Sequence, residues 1–487
     1  MKNAGSRFAY ILLCAFLIAT GVASSAQTFT RLAKFNGTNG EWPLYGSLIQ
    51  GTDGNFWGTT EFGGSNFSNL GEGQGTVFMV TPEGKLTAVY SFCPNPQDCT
   101  TGTEPYYGLV QDTAGNFFGL TEFGGGADKG TLFELTPQGE LTTIHSFCTA
   151  PNCADGADPG GPPILAHNGN FYGSVGGGYS IYEVTPADAF TYTTFSQAGG
   201  LGQFIEVANG FLGLGGPGAH RAGSIGLVTR SGEYETLYSL CSEPGCTDGS
   251  GGSWLIQGAD GNYYGDTLYG GEYNSGVVFK LTPSGQYSVL YNFCSQANCA
   301  DGATPYGSLM QATDGNFYGT TTFGGVPVVN GQLFEGYGTV FQLTPAGVLT
   351  TLHTFCEEGG QCAQGAYPLA GLVQGTDGNF YGTASGIGPG LDSCPGNCGS
   401  VFKISMGLAP FVQANPSFGK VGHAVNILGN NLTGTTSVSF NGTPATFTVI
   451  SPTYIKAEVP SGATTGTIEV TTPSGTLSSN VPFGILP

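Results

Sequence analysis

Charged side chains are scarce in this sequence, and basic ones are the scarcest. Asp, Glu, Lys and Arg make up 9% of the 487 residues, with 33 acidic residues against 12 basic ones. The net charge of −21 repels phosphate backbones and anionic lipids, so we expect neither nucleic acid nor an anionic membrane as a partner. The same charge also suits a protein that only has to stay soluble outside the cell.

The usual catalytic motifs are missing as well. The sequence has no Gly-x-Ser-x-Gly elbow, no recognisable Ser-His-Asp set and no His-rich metal motif. Its Phe-Gly-Gly segments lack the lysine of a phosphate-binding loop. The 33 acidic residues leave room for a glycosidase-type pair of carboxylates, but the sequence does not identify one. We therefore predict no catalytic residues and no cofactor, and we favour a protein that is not an enzyme.

A single long apolar run lies at the N-terminus. Lys2 and Arg7 precede an apolar stretch at residues 8–19, and small residues follow it. This order predicts a secretory signal peptide over residues 1–26, cleaved before Gln27. Its removal leaves 10 basic residues against 33 acidic ones.

A lipoprotein signal acylated at Cys14 is the alternative for this segment, but Leu13 is too large for the position before such a cysteine. No later stretch approaches the roughly 20 apolar residues that a membrane helix requires. We therefore expect a protein without a membrane span that is secreted or held in the periplasm or at the cell surface.

The cysteines are spaced as close pairs. There are 13, and 12 remain after Cys14 leaves with the signal. Metal binding is the alternative use, but no histidine accompanies the pairs and they lie far apart along the chain. In an oxidising compartment the spacing predicts six local disulfides. These are Cys93–Cys99, Cys148–Cys153, Cys241–Cys246, Cys294–Cys299, Cys356–Cys362 and Cys394–Cys398.

One phrase, Asp-Gly-Asn-Phe with its flanking residues, recurs along the chain. It is followed each time by a motif like Gly-Thr-Val-Phe-x-Leu-Thr-Pro-x-Gly and then by one like Leu-Thr-x-x-Tyr-Ser-Phe. Two of the copies, at 168–171 and 209–211, are degenerate. The copies lie at 50–60, 111–121, 168–171, 209–211, 258–267, 311–321 and 374–383.

Each repeat is typical of four short antiparallel strands, a to d, joined by tight turns at Asp-Gly and Thr-Pro-x-Gly. Residues 28–35 resemble a lone strand d, and the last repeat has no strand d after residues 400–405. The N-terminal strand is therefore predicted to complete the last repeat. The sequence predicts an all-β, seven-bladed β-propeller over residues 27–406, with four strands per blade and no open edge.

The ordered recurrence of Asp-Gly-Asn-Phe, Phe-Gly-Gly and Gly-Thr-Val-Phe resembles the GloVer tandem-repeat family of exported bacterial proteins. The resemblance covers residues 28–405 and is weakest over 199–240. It implies export and a repeat fold, and it implies no defined activity.

Residues 408–487 have a different strand pattern, which resembles the IPT/TIG immunoglobulin-like domain. The resemblance implies a β-sandwich that acts as a spacer or as an accessory to binding. Residues 407–410 form a short linker, so the two domains are expected to lie close together. The residues that carry the resemblance are Pro416, Gly419, Gly422, Ile427, Gly429, Val438, Phe440, Gly442, Ala445, Ile455, Val459, Pro460, Gly466, Val470, Pro473 and Gly475.

The two ends of the predicted blades differ. The a–b and c–d connections are tight turns, whereas the b–c and d–a loops are long and carry every cysteine pair. Because function is often found on loops held by a rigid scaffold, we expect binding on this loop face. Stabilisation of long loops alone would also explain the disulfides.

Three d–a loops place an aspartate after the second cysteine, at Asp155, Asp248 and Asp301. These carboxylates are candidate binding residues at the mouth of the central channel, where they could attract Ca²⁺. The alternative is that each aspartate caps its own turn. The single aspartates of the Asp-Gly turns, and His145 and His353 at positions that hold Tyr in other repeats, are interpreted as structural.

The sequence leaves three functions open. The first is a secreted, monomeric, non-catalytic protein that binds a glycan, a protein or a small extracellular ligand. The second is a propeller hydrolase or lyase that acts on extracellular polysaccharide. The third is a purely structural component of the envelope.

Overall fold

The computed structural model describes residues 27–65, 73–95, 99–176, 180–185, 190–194, 201–216, 221–325, 336–356, 362, 364–386 and 398–486. The predicted signal peptide and Cys394 lie outside these residues. Among the residues that are described, none forms a helix long and apolar enough to cross a membrane.

The described part of residues 28–405 forms seven four-stranded antiparallel sheets, numbered 1 to 7 here in chain order. The N-terminal strand is β1 (Thr28–Lys34). Sheet 1 contains β2 (Ile49–Gln50), β3 (Phe56–Thr60), β4 (Thr76–Val80) and β5 (Leu86–Ser91). Sheet 2 contains β6 (Val110–Gln111), β7 (Phe117–Thr121), β8 (Thr131–Leu135) and β9 (Leu141–Ser146). Sheet 3 contains β10 (Ile164–Leu165), β11 (Phe171–Val175), β12 (Ser180–Val184) and β13 (Phe190–Thr194).

The remaining four sheets follow the same order. Sheet 4 contains β14 (Leu201–Val207), β15 (Gly210–Gly215), β16 (Ser224–Thr229) and β17 (Tyr234–Ser239). Sheet 5 contains β18 (Ser250–Gln257), β19 (Tyr263–Tyr269), β20 (Val277–Leu281) and β21 (Tyr287–Asn292). Sheet 6 contains β22 (Met310–Gln311), β23 (Phe317–Thr321), β24 (Thr339–Leu343) and β25 (Leu349–Thr354). Sheet 7 contains β26 (Val373–Gln374), β27 (Phe380–Ala384), β28 (Ser400–Ser405) and β1.

The N-terminal strand completes the last sheet, as the sequence predicts. β1 pairs antiparallel with β28, from Thr28 opposite Ser405 to Lys34 opposite Ser400. Its Phe29 packs on the ring of Phe402 in β28, with the ring centroids 5.3 Å apart. This pairing joins the two ends of the repeat region and leaves no unpaired edge on β28.

Successive sheets pack through aromatic rings of their second strands. The ring centroids of Trp57 and Phe117 are 4.2 Å apart, and Phe56 of sheet 1 stacks on Tyr381 of sheet 7 at 3.8 Å. Glutamine side chains add hydrogen bonds between neighbours, and the amide of Thr376 in sheet 7 donates to Gln50 Oε1 in sheet 1 at 2.9 Å. The seventh sheet is therefore packed on the first, which gives a closed, propeller-like order of sheets.

A glycine in the middle of the second strand makes room for a phenylalanine of the third strand in sheets 1, 2, 5, 6 and 7. A Cβ on Gly119 would lie 2.5 Å from the ring of Phe133 in the next strand, and a Cβ on Gly319 would lie 2.6 Å from Phe341. Any larger residue would displace these fully buried rings. The Phe-x-Gly-x-Thr pattern of the repeats thus reflects packing within each sheet.

The Asp-Gly turns have a structural role. Asp260 accepts hydrogen bonds from the side chain of Asn262 at 2.7 Å and from the hydroxyl of Tyr264 at 2.8 Å. The same bonds are made by Asp314 and Asp377, and Asp53 bonds to Asn55 and Trp57. These contacts confirm that the repeated aspartates fix their own turns.

Residues 411–486 form two four-stranded sheets and a two-stranded sheet. One core cluster contains buried residues from both larger sheets, among them Ile427 and Val470. The strands are β29 (Gln413–Asn415), β30 (Phe418–Lys420), β31 (Ala424–Leu428), β32 (Ser437–Phe440), β33 (Thr443–Pro444), β34 (Phe447–Ser451), β35 (Tyr454–Glu458), β36 (Ile468–Thr472), β37 (Gly475–Ser478) and β38 (Gly484–Leu486).

This C-terminal part lies against the side of the repeat region that carries the Asp-Gly turns, which we call the turn face. Asn426 Nδ2 donates to the carbonyl of Thr113 at 3.0 Å, and Asn430 Nδ2 donates to Thr376 Oγ1 at 2.8 Å. Thr453 Oγ1 donates to the carbonyl of Thr52 at 3.2 Å. Turns of sheets 1, 2 and 7 are thus in contact with the C-terminal part, and the opposite side, the loop face, carries the disulfides.

Candidate functional site

The loop face is built on disulfide-bonded loops. Five of the six predicted disulfides are present, and Cys394–Cys398 lies outside the described residues because Cys394 is not described. In three loops the amide of the first cysteine also donates to a glycine carbonyl eight residues later, as from Cys294 to Gly302 at 3.0 Å. In these three d–a loops the cysteine segment is therefore closed by a disulfide and by a backbone hydrogen bond.

The aspartate that follows these cysteines is bonded inside its own loop. Asp301 is 0% exposed and accepts from the hydroxyl of Tyr291 at 2.7 Å and from the amides of Ser295 and Gln296 at 2.9 and 3.2 Å. Asp248 is 3% exposed and accepts the same set of bonds from Tyr238, Ser242 and Glu243. Both carboxylates thus face backbone donors of their own turns.

Asp155 repeats the arrangement with a histidine in place of the tyrosine. It accepts hydrogen bonds from the amides of Thr149 and Ala150, and its Oδ2 lies 3.4 Å from His145 Nε2. Burial acts to raise the pKa of Asp155, but these hydrogen bonds outweigh it and lower the pKa. Burial also lowers the pKa of His145. The structure gives all three aspartates one local role, and within the described residues no three His, Cys, Asp or Glu side chains are grouped to hold a metal ion.

A second feature of the loop face is a residue in the left-handed backbone region in the loops that lead into sheets 1, 2, 3, 6 and 7. The carbonyl of this residue accepts a hydrogen bond from the first residue of the b–c loop, as from Glu122 N to Glu104 O at 3.0 Å. The backbone is thus the same from sheet to sheet while the side chains differ. The left-handed residues are Trp42, Glu104, Asp158, Thr304 and Tyr367, with φ between 51° and 56°.

These two positions are acidic in one arc of the loop face. Glu61 and Glu122 begin the b–c loops of sheets 1 and 2, and Glu104 and Asp158 lead into sheets 2 and 3. Burial, followed by the charges of Glu104 and Glu122, raises the pKa of Glu61 to about 7. The Oε2 of Glu61 is buried without a hydrogen-bond partner. Burial and the charge of Asp158 raise the pKa of Glu122 as well.

Tyrosines adjoin the acidic arc at the ring axis. Tyr45 lies between Tyr106 and Tyr306, with ring centroids 4.6 and 4.7 Å from its own. These rings come from sheets 1, 2 and 6, so they meet where the first strands converge. Burial, a hydrogen bond with Tyr45 and the charge of Glu61, among other charges, raise the pKa of Tyr106. Tyr106 therefore remains a neutral hydroxyl next to the carboxyl groups.

The exposed aromatic side chains of the described residues also lie on this face. Trp42 is 37% exposed and Phe123 38%, while Tyr269 and Tyr273 are 45% and 40% exposed. Phe123 and Tyr273 belong to b–c loops, Tyr269 ends β19 just before such a loop, and Trp42 belongs to the loop that enters sheet 1. Carboxyl groups with a perturbed pKa beside exposed rings are a combination found at ligand sites, where rings supply contact area and polar groups supply orientation.

The repeats identify the family. A family model described as the Gloeobacter/Verrucomicrobia repeat matches residues 19–185 and 215–448. The chain belongs to this repeat family. The Gloeobacter/Verrucomicrobia repeat match omits residues 186–214, which fall at the end of sheet 3 and the start of sheet 4 and include the degenerate copy at 209–211.

Solved structures resemble the chain at low identity. The streptogramin B lyase structure is 15% identical with a TM-score of 0.46, and the alignment covers 78% of this chain and 97% of that one. The extracellular domain of the hybrid two component system BT3049 from B. thetaiotaomicron is 10% identical with a TM-score of 0.49, covering 94% and 58%. Periplasmic gluconolactonase PpgL of Pseudomonas aeruginosa is 15% identical with a TM-score of 0.42, covering 64% and 85%. At such identities and TM-scores, these similarities do not indicate an activity for this chain. No curated protein matches the chain.

Sequence reasoning missed the acidic arc. The sequence draws attention to Asp155, Asp248 and Asp301 because they recur after cysteines, whereas a glutamate precedes Phe-Gly-Gly only at Glu61 and Glu122, and Glu104 stands in a different loop. The sequence did contain a signal for this site, because two positions change residue type between repeats. One is the residue after strand b, and the other is the residue before the proline of the d–a loops. Variable residues on an invariant backbone would have been the better guide to a ligand site.

Proposed function

We propose that the seven sheets are the blades of a closed seven-bladed β-propeller over residues 27–406, and that residues 408–487 are an IPT/TIG immunoglobulin-like domain. The chain is exported through a cleaved signal peptide, residues 1–26, and acts as a monomer outside the cytoplasm. The disulfides support this location because they persist in oxidising compartments.

The function we propose is non-catalytic binding of an extracellular glycan at the loop face. The observation that carries this proposal is that the exposed aromatic rings and the acidic arc share the loop face, with Trp42 and Phe123 next to Glu61 and Glu122. Flat rings such as those of Trp42 and Tyr269 offer rigid apolar surfaces to the faces of sugar rings. Carboxyl groups such as Glu61 and Glu104 accept hydrogen bonds from sugar hydroxyls. The C-terminal part contacts the turn face, which leaves the loop face for a ligand.

A hydrolase or lyase acting on extracellular polysaccharide is the second candidate, and Glu61 is the residue that favours it. A carboxyl group whose pKa is about 7 can donate a proton at neutral pH, as a general acid in glycoside cleavage does. Either Glu104 or Glu122 would then act as the second catalytic carboxylate, the base. A purely structural envelope role is the third candidate and requires no ligand.

A glycan array probed with the mature chain, residues 27–487, tests the proposal. We expect binding that weakens roughly tenfold in Trp42→Ala and in Tyr269→Ala, because each removes a stacking surface. Val348→Ala is the matched control, since Val348 is 62% exposed at a turn on the opposite face. Absence of any bound glycan, or equal affinities for the three variants, would contradict the proposal.

A turnover assay on each bound glycan separates binding from catalysis. A binding protein releases no products, and Glu61→Gln then changes affinity alone. An enzyme releases new chain ends, and Glu61→Gln lowers that rate while affinity is retained. A melting curve recorded with Ca²⁺ and with EDTA tests the metal site at Asp155, Asp248 and Asp301, which requires a higher melting temperature with Ca²⁺.

A further inference from the structure

A cavity of about 710 Å³ lies between the turn face and the C-terminal part, far from the proposed glycan site on the loop face. Its walls come from turns of sheets 2 and 3 on one side and from β30, β31 and β35 on the other. Its volume is in the range of sites for small molecules. It opens at a place where two separately folded parts of the chain meet, which is a common location for such sites.

The two walls carry opposite charges. Asp112 and Glu134 line the side formed by the repeats, and Lys420, Lys456 and His423 line the side formed by the C-terminal part. Lys420 and Lys456 are two of only 10 basic residues that follow residue 26. Among the described residues, the ion pairs within 4 Å do not include either lysine.

The acidic wall is held in place by its own turn. Asp112 Oδ1 accepts from the amides of Ala114 and Asn116, and Glu134 Oε1 accepts from Asn116 Nδ2. Each carboxylate oxygen can accept more than one hydrogen bond, so both groups keep acceptor capacity for a ligand. Neither carboxylate forms an ion pair with a lysine across the cavity. A bound ligand could therefore pair with the carboxylates and with the lysines at the same time.

Apolar side chains line both walls as well. Phe118 and Phe171 contribute from the repeats, and Phe418 contributes from β30. The ring of Phe418 lies 4.1 Å from that of His167, which is itself held by Glu206 through Nδ1 at 2.5 Å. The cavity therefore offers apolar surface together with cationic and anionic groups.

We propose that this cavity binds a zwitterionic amino acid or short peptide with an apolar side chain. Its carboxylate lies toward Lys420 and Lys456, and its ammonium group lies toward Asp112 and Glu134. A ligand with one charge would leave one wall unmatched, and an uncharged ligand would leave both unmatched. This site is separate from the glycan site, so the two proposals stand or fall independently.

Isothermal titration of the mature chain with glycyl-L-phenylalanine tests this inference. N-acetyl-L-phenylalanine, which lacks the ammonium group, and phenethylamine, which lacks the carboxylate, are the comparison probes. We expect saturable binding of the dipeptide and roughly tenfold weaker binding of each comparison probe, because each loses one charged contact. Equal binding of the three probes, or no binding of the dipeptide at millimolar concentration, would overturn the proposal.

Two variants locate the binding. Lys456→Gln and Glu134→Gln should each weaken dipeptide binding roughly tenfold. Lys403→Gln is the control for Lys456→Gln, because Lys403 is a lysine that does not line the cavity. Lys403 occupies the same position in β28 as Glu134 does in β8. Glu469→Gln, on β36, is the control for Glu134→Gln. Binding that is unchanged in both cavity variants would overturn the assignment, and a melting temperature near that of the parent chain shows that each variant is folded.

Discussion

Replacing Asp301 with alanine should destabilise the protein whether or not calcium is present. The Asp301 carboxylate is fully buried and accepts four hydrogen bonds. Two come from the hydroxyls of Tyr291 and Ser295, at 2.7 and 2.9 Å, and two come from the amides of Ser295 and Gln296, at 2.9 and 3.2 Å. Alanine removes both carboxylate oxygens and so all four hydrogen bonds, and it leaves the two amides without their partners.

The expected loss follows from these bonds. A hydrogen bond to a charged group contributes about 1.5–3 kcal/mol, and an amide left unsatisfied costs about 1–3 kcal/mol. The hydroxyls of Tyr291 and Ser295 can turn to water because neither side chain is buried, so their bonds count for less. Burying the carboxylate also has a desolvation cost, which the variant avoids. We expect the free energy of unfolding to fall by about 3 kcal/mol.

Urea unfolding followed by tryptophan fluorescence measures this change, in EDTA and in Ca²⁺. Turn capping requires the same loss in both buffers, whereas a metal site requires a loss that appears only with Ca²⁺. Asp158→Ala is the control, because Asp158 is an exposed aspartate of a similar loop whose pair with Lys129 is also exposed. A change smaller than about 0.5 kcal/mol in Asp301→Ala would refute the reasoning.

Three further predictions concern buried groups and a disulfide. Burial raises the pKa of Asp266 well above its usual value, so the folded state loses stability as pH rises above about 4. Asp266→Thr places at this position the residue type found at the matching Thr320. The stability gained by this variant over the parent chain should be larger at pH 7 than at pH 4. Burial lowers the pKa of His353 to about 4, so the folded state loses up to about 3 kcal/mol of stability as pH falls from about 6.5 towards 4. His353→Phe should remove this loss, which melting curves recorded across that pH range would measure. Replacing Cys294 and Cys299 together with serine opens a loop with a sequence separation of 5 and should cost about 2 kcal/mol in urea unfolding.

Each of these has an outcome that would contradict it. Equal pH profiles for Asp266→Thr and the parent chain would mean that the carboxyl is not protonated in the folded state. An acid loss retained in His353→Phe would place the responsible group elsewhere. A double cysteine variant as stable as the parent would mean that the hydrogen bonds of the loop hold it closed without the disulfide.

The strands and turns were predictable because local chemistry fixes them. The Asp-Gly-Asn phrase forms a turn through bonds within four residues, as between Asp260 and Tyr264, and such bonds are visible in sequence. The closing strand was also predictable, because β28 would otherwise have kept an unpaired edge. The cysteine pairs were predictable from their spacing alone, and five of them are present in the structure.

The candidate site was not predictable in the same way. The importance given to Asp155, Asp248 and Asp301 followed from their recurrence, but recurrence selects residues that each repeat needs for itself. Burial, followed by the charges of Glu104 and Glu122, raises the pKa of Glu61. Glu61 and Glu104 lie in different loops, and only the packing of sheet 1 against sheet 2 brings them close together.

The sequence by itself determined the repeat, the strands within it and the disulfide-bonded loops, because each depends on residues near one another along the chain. The tertiary structure decided which side chains share a surface. The convergence of Tyr45, Tyr106 and Tyr306 depends on three first strands meeting at one axis. The position of the C-terminal part on the turn face depends on contacts such as that between Asn426 and Thr113, which are 313 positions apart. These contacts join residues from different repeats or from different parts of the chain, and only folding brings them within reach.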